Sequence, residues 1–137
     1  MNKVKYITTL AIVAFVLHII WENAQAPLYA SYRSFSQHFS MCFVGTLGDV
    51  VITLSVLAFL WLLKKDVSRP ADFLGLAIIG FIIAVAIEQN ALLAGKWNYA
   101  SAMPIIPWLN VGLAPIVQMT LLLPLSFYVA GLFNKKS

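Results

Sequence analysis

The chain has 137 residues, of which 61% are hydrophobic and only 10% are charged. Soluble domains carry about 25% charged residues, so this composition excludes a disordered chain and is extreme for a soluble one. The net charge of +4 does not indicate a nucleic-acid partner, because the basic residues lie at the ends of apolar segments and form no patch. Cys42 is the only cysteine, which excludes an intrachain disulfide and a cysteine-based metal site.

Four apolar segments follow one another along the chain, at about 6–26, 41–63, 73–93 and 108–133. Each has the roughly 20 residues that a helix needs to cross a ~30 Å hydrocarbon core. The sequence therefore predicts an all-α integral membrane protein, with four transmembrane helices in a compact bundle that forms one domain over residues 1–137. The connection at 27–40 is polar and aromatic, and it leaves room for a short surface helix.

The first apolar segment also fits a cleavable signal peptide. Lys3 and Lys5 precede its apolar core, and Ala24-Gln25-Ala26 imitates a small-x-small cleavage site. Against cleavage, Trp21 and the polar residues after it crowd that site, and Pro27 would follow the cut. We therefore favour a retained helix.

The basic residues predict the orientation. Seven fall on one side of a four-span arrangement and two on the other: Lys3, Lys5, Lys64, Lys65, Arg69, Lys135 and Lys136 against Arg33 and Lys96. By the positive-inside rule, both termini and the central connection face the cytoplasm. With no targeting segment beyond the first helix, the plasma (inner) membrane of a bacterial-type cell is the expected location.

Three carboxylates, Glu22, Asp49 and Glu88, lie inside the apolar segments. An ionisable group at the centre of a membrane helix costs about 2.5–3.5 kcal/mol on insertion scales, so it is a functional-site hypothesis by default. At ~1.5 Å rise per residue, Asp49 lies ~10–15 Å inside the outer end of its helix, and Glu22 and Glu88 ~6–10 Å inside. We predict one acidic level in the outer half of the membrane, with Asp49 as the first candidate for a catalytic acid or base, followed by Glu88 and Glu22.

Other polar side chains fall at the same level. His18, Glu22 and Gln25 share one face of the first helix, and Gln118 lies two turns below the start of the fourth. We expect these groups to bind a ligand or to support the acids: His18, Trp21, Asn23, Gln25, Asn90, Asn110 and Gln118.

The connection after the third segment contains Gly95-Lys96-Trp97-Asn98-Tyr99. It has two interpretations: an aromatic interface belt with proline-fixed turns, or a lid in which Trp97 or Tyr99 stacks on a lipid or isoprenoid ligand. Residues 21–29 open the other outer connection in the same style, so both connections can close one site. Pro115 and Pro124 are expected to kink the fourth helix.

The polar residues also have structural explanations. Glu22 can face the outer interface, and Asp49 can join neighbouring helices through hydrogen bonds. A lone interior histidine such as His18 is more often satisfied by its surroundings than used as a ligand. The acids and His18 have no diagnostic metal-ligand spacing, so we expect no metal and no cofactor.

The two halves of the chain resemble each other. Phe15 precedes Glu22 by seven residues, and Phe81 precedes Glu88 by seven. This pattern indicates either a tandem duplication of a two-helix unit about an axis along the membrane normal, or chance matches among apolar residues.

Three functions fit these patterns. The favoured one is a membrane-embedded enzyme or binding protein that acts by acid–base chemistry on a lipophilic, lipid-like or isoprenoid-like molecule. The alternatives are a small proton-coupled transporter and a non-catalytic accessory subunit of a membrane complex. The expected partners are membrane lipids and a lipophilic small molecule, with a homodimer or a larger complex left open and no nucleic acid.

Overall fold

The computed structural model describes residues 2–135. Four helices make up most of this range: α1 Lys3–Gln25, α2 Phe35–Leu62, α3 Pro70–Leu93 and α4 Leu113–Lys135. Each is long and apolar enough to cross a membrane, and large apolar side chains cover the outer surface of the bundle. The protein is therefore a membrane-embedded, all-α four-helix bundle, as the composition and the segment lengths predict.

The second helix begins earlier than its apolar segment. α2 starts at Phe35 because Ser34 caps it, with the Ser34 hydroxyl accepting a hydrogen bond from the Gln37 N–H at 3.4 Å. The room for a short surface helix in 27–40 is thus taken by the first turns of α2, after a single 3-10 turn at Ala26–Leu28.

The fourth helix begins later than predicted. The preceding residues form an antiparallel hairpin of β1, Ile105–Ile106, and β2, Val111–Gly112. Asn110 closes its turn with a φ of 53°, a left-handed conformation that asparagine tolerates better than most residues. Residues 108–112 therefore belong to the hairpin and not to the fourth helix, because a short apolar stretch by itself does not distinguish a strand from a helix.

Only one of the two prolines of α4 lies in the interior of the helix. Pro115 lies in the first turn, where a backbone N–H has no partner within the helix, so the predicted kink there is wrong. Pro124 lies inside α4, where it cannot donate to the carbonyl of Thr120.

The helices pack in the order α2, α1, α4, α3. α1 packs against α2 and α4, and α4 also packs against α3, whereas α2 and α3 barely contact each other. A Cβ atom added at Gly80 would lie 2.4 Å from the carbonyl oxygen of Met119, so the backbones of α3 and α4 approach closely there. The bundle is therefore tight on three sides and open between α2 and α3. Since the contact of α1 with α4 has no counterpart between α2 and α3, the duplication stays a prediction.

The bundle has two chemically different ends. The lysine end holds the start of α1, the 63–69 connection and the C-terminal part of α4, and the loop end holds the 26–34 and 94–112 connections. Most basic residues lie at the lysine end, with Lys136 outside the described residues. Three fully buried leucines, Leu10, Leu76 and Leu123, belong to the apolar core of the bundle.

The end of α3 directs the chain back over the bundle. Gly95 has a φ of 68°, its N–H donates to the carbonyl of Leu92 at 3.2 Å, and the Lys96 N–H donates to Ala91 at 2.9 Å. This is a Schellman motif, which needs a left-handed residue after the helix and therefore favours glycine. The turn brings Trp97 and Tyr99 over the end of the helix that they follow.

Candidate functional site

A cavity of about 560 Å³ lies at the loop end of the bundle, and we call it the carboxyl cavity. All four helices contribute to its walls, which include Glu22 of α1, Asp49 of α2 and Glu88 of α3. Aliphatic side chains such as Ile52 and Ile87 form much of the remaining lining. The three acids thus face a common space with largely apolar walls.

Gln118 of α4 connects two of the acids. Its Nε2 atom lies 3.0 Å from Glu22 Oε1 and 3.0 Å from Asp49 Oδ2. These two carboxyl oxygens are therefore within about 6 Å of each other. Gln118 is only 3% exposed, so its position is fixed by the packing of the bundle.

A chain of hydrogen bonds fixes the orientation of the Gln118 amide. The indole N–H of Trp21 can only donate, and it donates to Gln25 Oε1 at 3.2 Å. The Nε2 group of Gln25 therefore faces inward and donates to Gln118 Oε1 at 2.8 Å. As a consequence, Gln118 must present its NH₂ group, and not its oxygen, to the carboxyls of Glu22 and Asp49.

His18 contacts Asp49 from below the cavity. Its Nδ1 atom lies 3.1 Å from Asp49 Oδ2 and 3.0 Å from Gln118 Nε2. Because the two Gln118 hydrogens are directed to the carboxyls, the arrangement is satisfied when His18 Nδ1–H donates to Asp49. His18 is fully buried and its Nε2 atom has no hydrogen-bond partner. That orphan position favours the imidazole form in which Nε2 carries no proton, since a buried N–H without an acceptor is costly.

The carboxyl of Glu22 rests against a glycine of α2. A Cβ atom added at Gly45 would lie 3.4 Å from the carboxyl carbon of Glu22. The adjacent turn also contacts the α1 backbone, where Cys42 Sγ lies 3.5 Å from the carbonyl oxygen of Glu22. Larger side chains at position 45 would therefore displace the acid.

Two side chains of the 94–112 connection donate hydrogen bonds to Glu88. The Trp97 indole N–H donates to Glu88 Oε2 at 3.2 Å, and the Tyr99 hydroxyl donates to the same oxygen. Burial raises the pKa of Tyr99, and so does its hydrogen bond to Glu88. Tyr99 therefore keeps its proton, and its role as a donor, throughout the physiological pH range.

The two connections of the loop end pair with each other. The Ala30 N–H donates to Asn98 at 2.9 Å, the Ala100 N–H donates to Leu28 at 2.8 Å, and Tyr29 forms a β-bridge with Tyr99. The rings of Tyr29 and Trp97 meet edge to face at 6.3 Å, and both side chains line the cavity. Burial and the charge of Glu88 raise the pKa of Tyr29. The two connections thus form one aromatic cover over the carboxyl cavity.

The residues proposed from the sequence fall into three groups. Six line the cavity: Glu22, Gln25, Asp49, Glu88, Trp97 and Gln118. Three do not line it but contact those that do: His18, Trp21 and Tyr99. Three are outside the site: Asn23 and Asn90 donate to carbonyls of their own helices, at 2.8 Å and 2.7 Å, and Asn110 lies in the hairpin turn.

Sequence reasoning did not select Tyr29 or His38 as individual site residues, although both line the cavity. The ring of the buried His38 also packs against Tyr32 at 5.5 Å. Once α2 is known to begin at Phe35, His38 falls on the same helix face as Cys42, Gly45 and Asp49. The signal for His38 was therefore present and was hidden by the misplaced helix start. Tyr29 ends the 21–29 connection that the sequence marks as part of a cover, but its place in the cavity depends on pairing with Tyr99 in the distant connection.

Within residues 2–135, no group of three or more His, Cys, Asp or Glu side chains is placed to hold a metal ion. No protein-family model matches the chain, and no match was found among curated proteins or solved structures. The function therefore has to be argued from the carboxyl cavity itself.

Proposed function

We propose that this protein binds a lipophilic molecule in the carboxyl cavity and acts on it by acid–base chemistry. The observation that carries the proposal is the shared cavity: about 560 Å³, bounded mainly by apolar side chains and containing three carboxyls. Ligand sites for small molecules have volumes of about 300–1,000 Å³, with apolar walls and a few converging polar groups.

The gap between α2 and α3 supports entry from the membrane. Val44 of α2 and Ile87 of α3 line the cavity and are also exposed on the outer surface, at 68% and 39%. In a bilayer this gap would face the hydrocarbon region. An apolar tail could therefore remain in lipid while the polar part of the molecule reaches the acids.

The acids supply the chemistry. Two carboxyls held as close as Glu22 and Asp49 can share one proton, so one member can donate while the other accepts. Glu88, held separately by Trp97 and Tyr99, provides a further acceptor. We assign Asp49 the main acid–base role because it has both Gln118 and His18 as partners.

Binding is tested by filling the cavity. Gly48 lines it, and a Cβ atom added there would have no neighbour within 4 Å, so we use Gly48→Leu to add volume at the cavity wall. Gly75→Leu is the matched control, since Gly75 also has open space but lies outside the cavity. We expect native mass spectrometry to show a co-purified lipid with the wild type and Gly75→Leu, and its loss with Gly48→Leu. Equal lipid retention by all three proteins would refute the binding proposal.

Turnover is tested in cells that lack the protein. We expect their lipid extract to accumulate a species that the wild type removes and that Asp49→Asn leaves in place. If Asp49→Asn, Glu88→Gln and Glu22→Gln all restore the wild-type lipid profile, the acid–base part of the proposal fails while binding stands.

We further propose that the chain resides in the plasma (inner) membrane with both termini in the cytoplasm, on the strength of the basic residues at the lysine end. In this orientation the cavity lies in the outer half. Ser101→Cys and Ser68→Cys, each in a Cys42→Ser background, place one exposed thiol at either end of the bundle. A membrane-impermeant maleimide applied to intact cells should label Ser101→Cys and spare Ser68→Cys, and the reverse result would invert the orientation.

The transporter and accessory-subunit hypotheses stay predictions. Neither gains a specific observation from the structure. Proton flux in proteoliposomes would support the first, and co-purification with a larger membrane complex would support the second.

A further inference from the structure

The charges around the carboxyl cavity are unbalanced. Among the described residues that line it there are three carboxyls and no lysine or arginine. The two basic residues of the loop end, Arg33 and Lys96, are exposed and do not line the cavity. Charge removed from water is costly unless an opposite charge accompanies it.

The hydrogen-bond donors around the acids do not remove this imbalance. Gln118, Trp97 and Tyr99 are neutral groups, so they hold a carboxylate in place without compensating its charge. Two histidines lie near the acids, since His18 contacts Asp49 through Nδ1 and His38 lines the cavity, and neither side chain is a permanent cation. When Glu22 and Asp49 share one proton, the pair keeps one negative charge, and an ionised Glu88 would add a second.

The walls of the cavity select the rest of the ligand. The rings of Tyr29 and Trp97 line it beside Glu88, and aromatic faces attract organic cations. Ile52, Ile87 and Met119 provide apolar contacts next to the gap between α2 and α3. The complementary molecule therefore has a small cationic head and an apolar tail.

We propose that the carboxyl cavity takes a single-tailed amphiphile with a protonated amine head. The head lies between the Glu22–Asp49 pair and Glu88 under the aromatic cover, and the tail leaves through the gap between α2 and α3. This inference rests on the proposed function, because it identifies the ligand class for the same cavity.

The test compares three probes that share one tail: dodecylamine, dodecan-1-ol and dodecanoic acid. Each is titrated by calorimetry into the full-length protein in a non-ionic maltoside detergent near neutral pH, where an alkylamine is protonated. We expect the amine to bind at least about tenfold more tightly than the alcohol, and the acid to bind most weakly.

Charge-removing variants locate the effect. Glu88→Gln and Asp49→Asn should each lower the amine-to-alcohol affinity ratio by about tenfold. Asp66→Asn is the matched control, since Asp66 is an exposed carboxylate at the lysine end, and it should keep the wild-type ratio.

The outcomes separate the two proposals. Equal affinity of the wild type for amine and alcohol, both abolished by Gly48→Leu, overturns the amine inference and leaves the lipophilic site intact. Absence of binding by every probe, together with lipid retention unaffected by Gly48→Leu, overturns both. The comparison of amine and alcohol binding by the wild type alone decides the amine inference. A variant that fails to fold therefore does not affect that decision.

Discussion

The two sides of the carboxyl cavity hold the same chemical group in different ways. Glu22 and Asp49 are held by Gln118 and His18, which stand on helices packed in the middle of the bundle. Glu88 is held by side chains of the 94–112 connection. Partners on packed helices open only when the bundle opens, whereas partners on a connection can separate locally at lower free energy. The packed helices therefore fix the Glu22–Asp49 pair, whereas the position of Glu88 depends on the aromatic cover.

The largest expected effect comes from Gln118→Leu, which keeps the approximate volume and removes the shared amide. Because the carboxyls of Glu22 and Asp49 and the amide of Gln25 lose their common partner, we expect the free energy of unfolding to fall by about 2–3 kcal/mol. The expected loss is larger than that of a single hydrogen bond between membrane helices, which averages about 0.6 kcal/mol, because three side chains lose a partner at once. The measurement is a denaturant titration in mixed micelles.

Gln89→Leu is the control for that prediction. Gln89 is exposed and donates only to the Leu109 carbonyl, at 3.3 Å, so its loss should cost less than about 1 kcal/mol. Equal destabilisation by the two substitutions would mean that the Gln118 network does not hold the acid pair.

A smaller effect is expected from Gly80→Ala, which changes the distance between the two sides. The added methyl group would meet the Met119 carbonyl oxygen and push α3 away from α4, at a cost of about 1–3 kcal/mol. Gly75→Ala on the same helix meets open space and should be neutral or stabilising by up to about 1 kcal/mol. Thermal unfolding of both variants measures the difference, and equal midpoints would contradict the close approach of the two backbones.

The smallest losses of stability should come from substitutions in the aromatic cover. Tyr99→Phe and Trp97→Phe each remove one donor to Glu88 and should lower the free energy of unfolding by about 0.5–1.5 kcal/mol. The loss should be smaller when Glu88→Gln is already present, as a double-mutant cycle would measure. Trp108→Phe is the control, because Trp108 is 91% exposed and should have no coupling to Glu88.

The pH dependence of the destabilisation caused by Tyr99→Phe follows from the direction in which folding shifts the pKa of Tyr99. The pKa of Tyr99 is higher in the folded protein than the value of about 10 of an unfolded chain. Its contribution to stability is therefore complete below about pH 10 and is lost as the pH rises through the folded-state pKa. The destabilisation caused by Tyr99→Phe should accordingly be constant across neutral pH, and a change there would show that another group controls the contact.

Helix geometry predicted several residues of the site, and the predicted residues that lie outside it have simple physical explanations. The rise per residue placed Glu22, Asp49 and Gln118 at one level, and they meet there. Asn90 is two residues beyond Glu88, which turns its side chain about 200° around the helix and away from the cavity. Asn23, next to Glu22, is turned by about 100° and bonds to its own helix instead.

Segment length, hydropathy and helical rise are local properties, and through them the sequence alone predicted the number of helices and the level of the acids. The faces of these helices were not determined in this way, because a membrane helix is apolar all round and its periodicity does not separate a lipid-facing side from a helix-facing one. Close packing between distant segments settled the rest: Gly80 against Met119, Gln118 between two acids, and Tyr29 paired with Tyr99. Such contacts depend on which helices become neighbours, and only the tertiary structure decided that α2 and α3 would leave a gap.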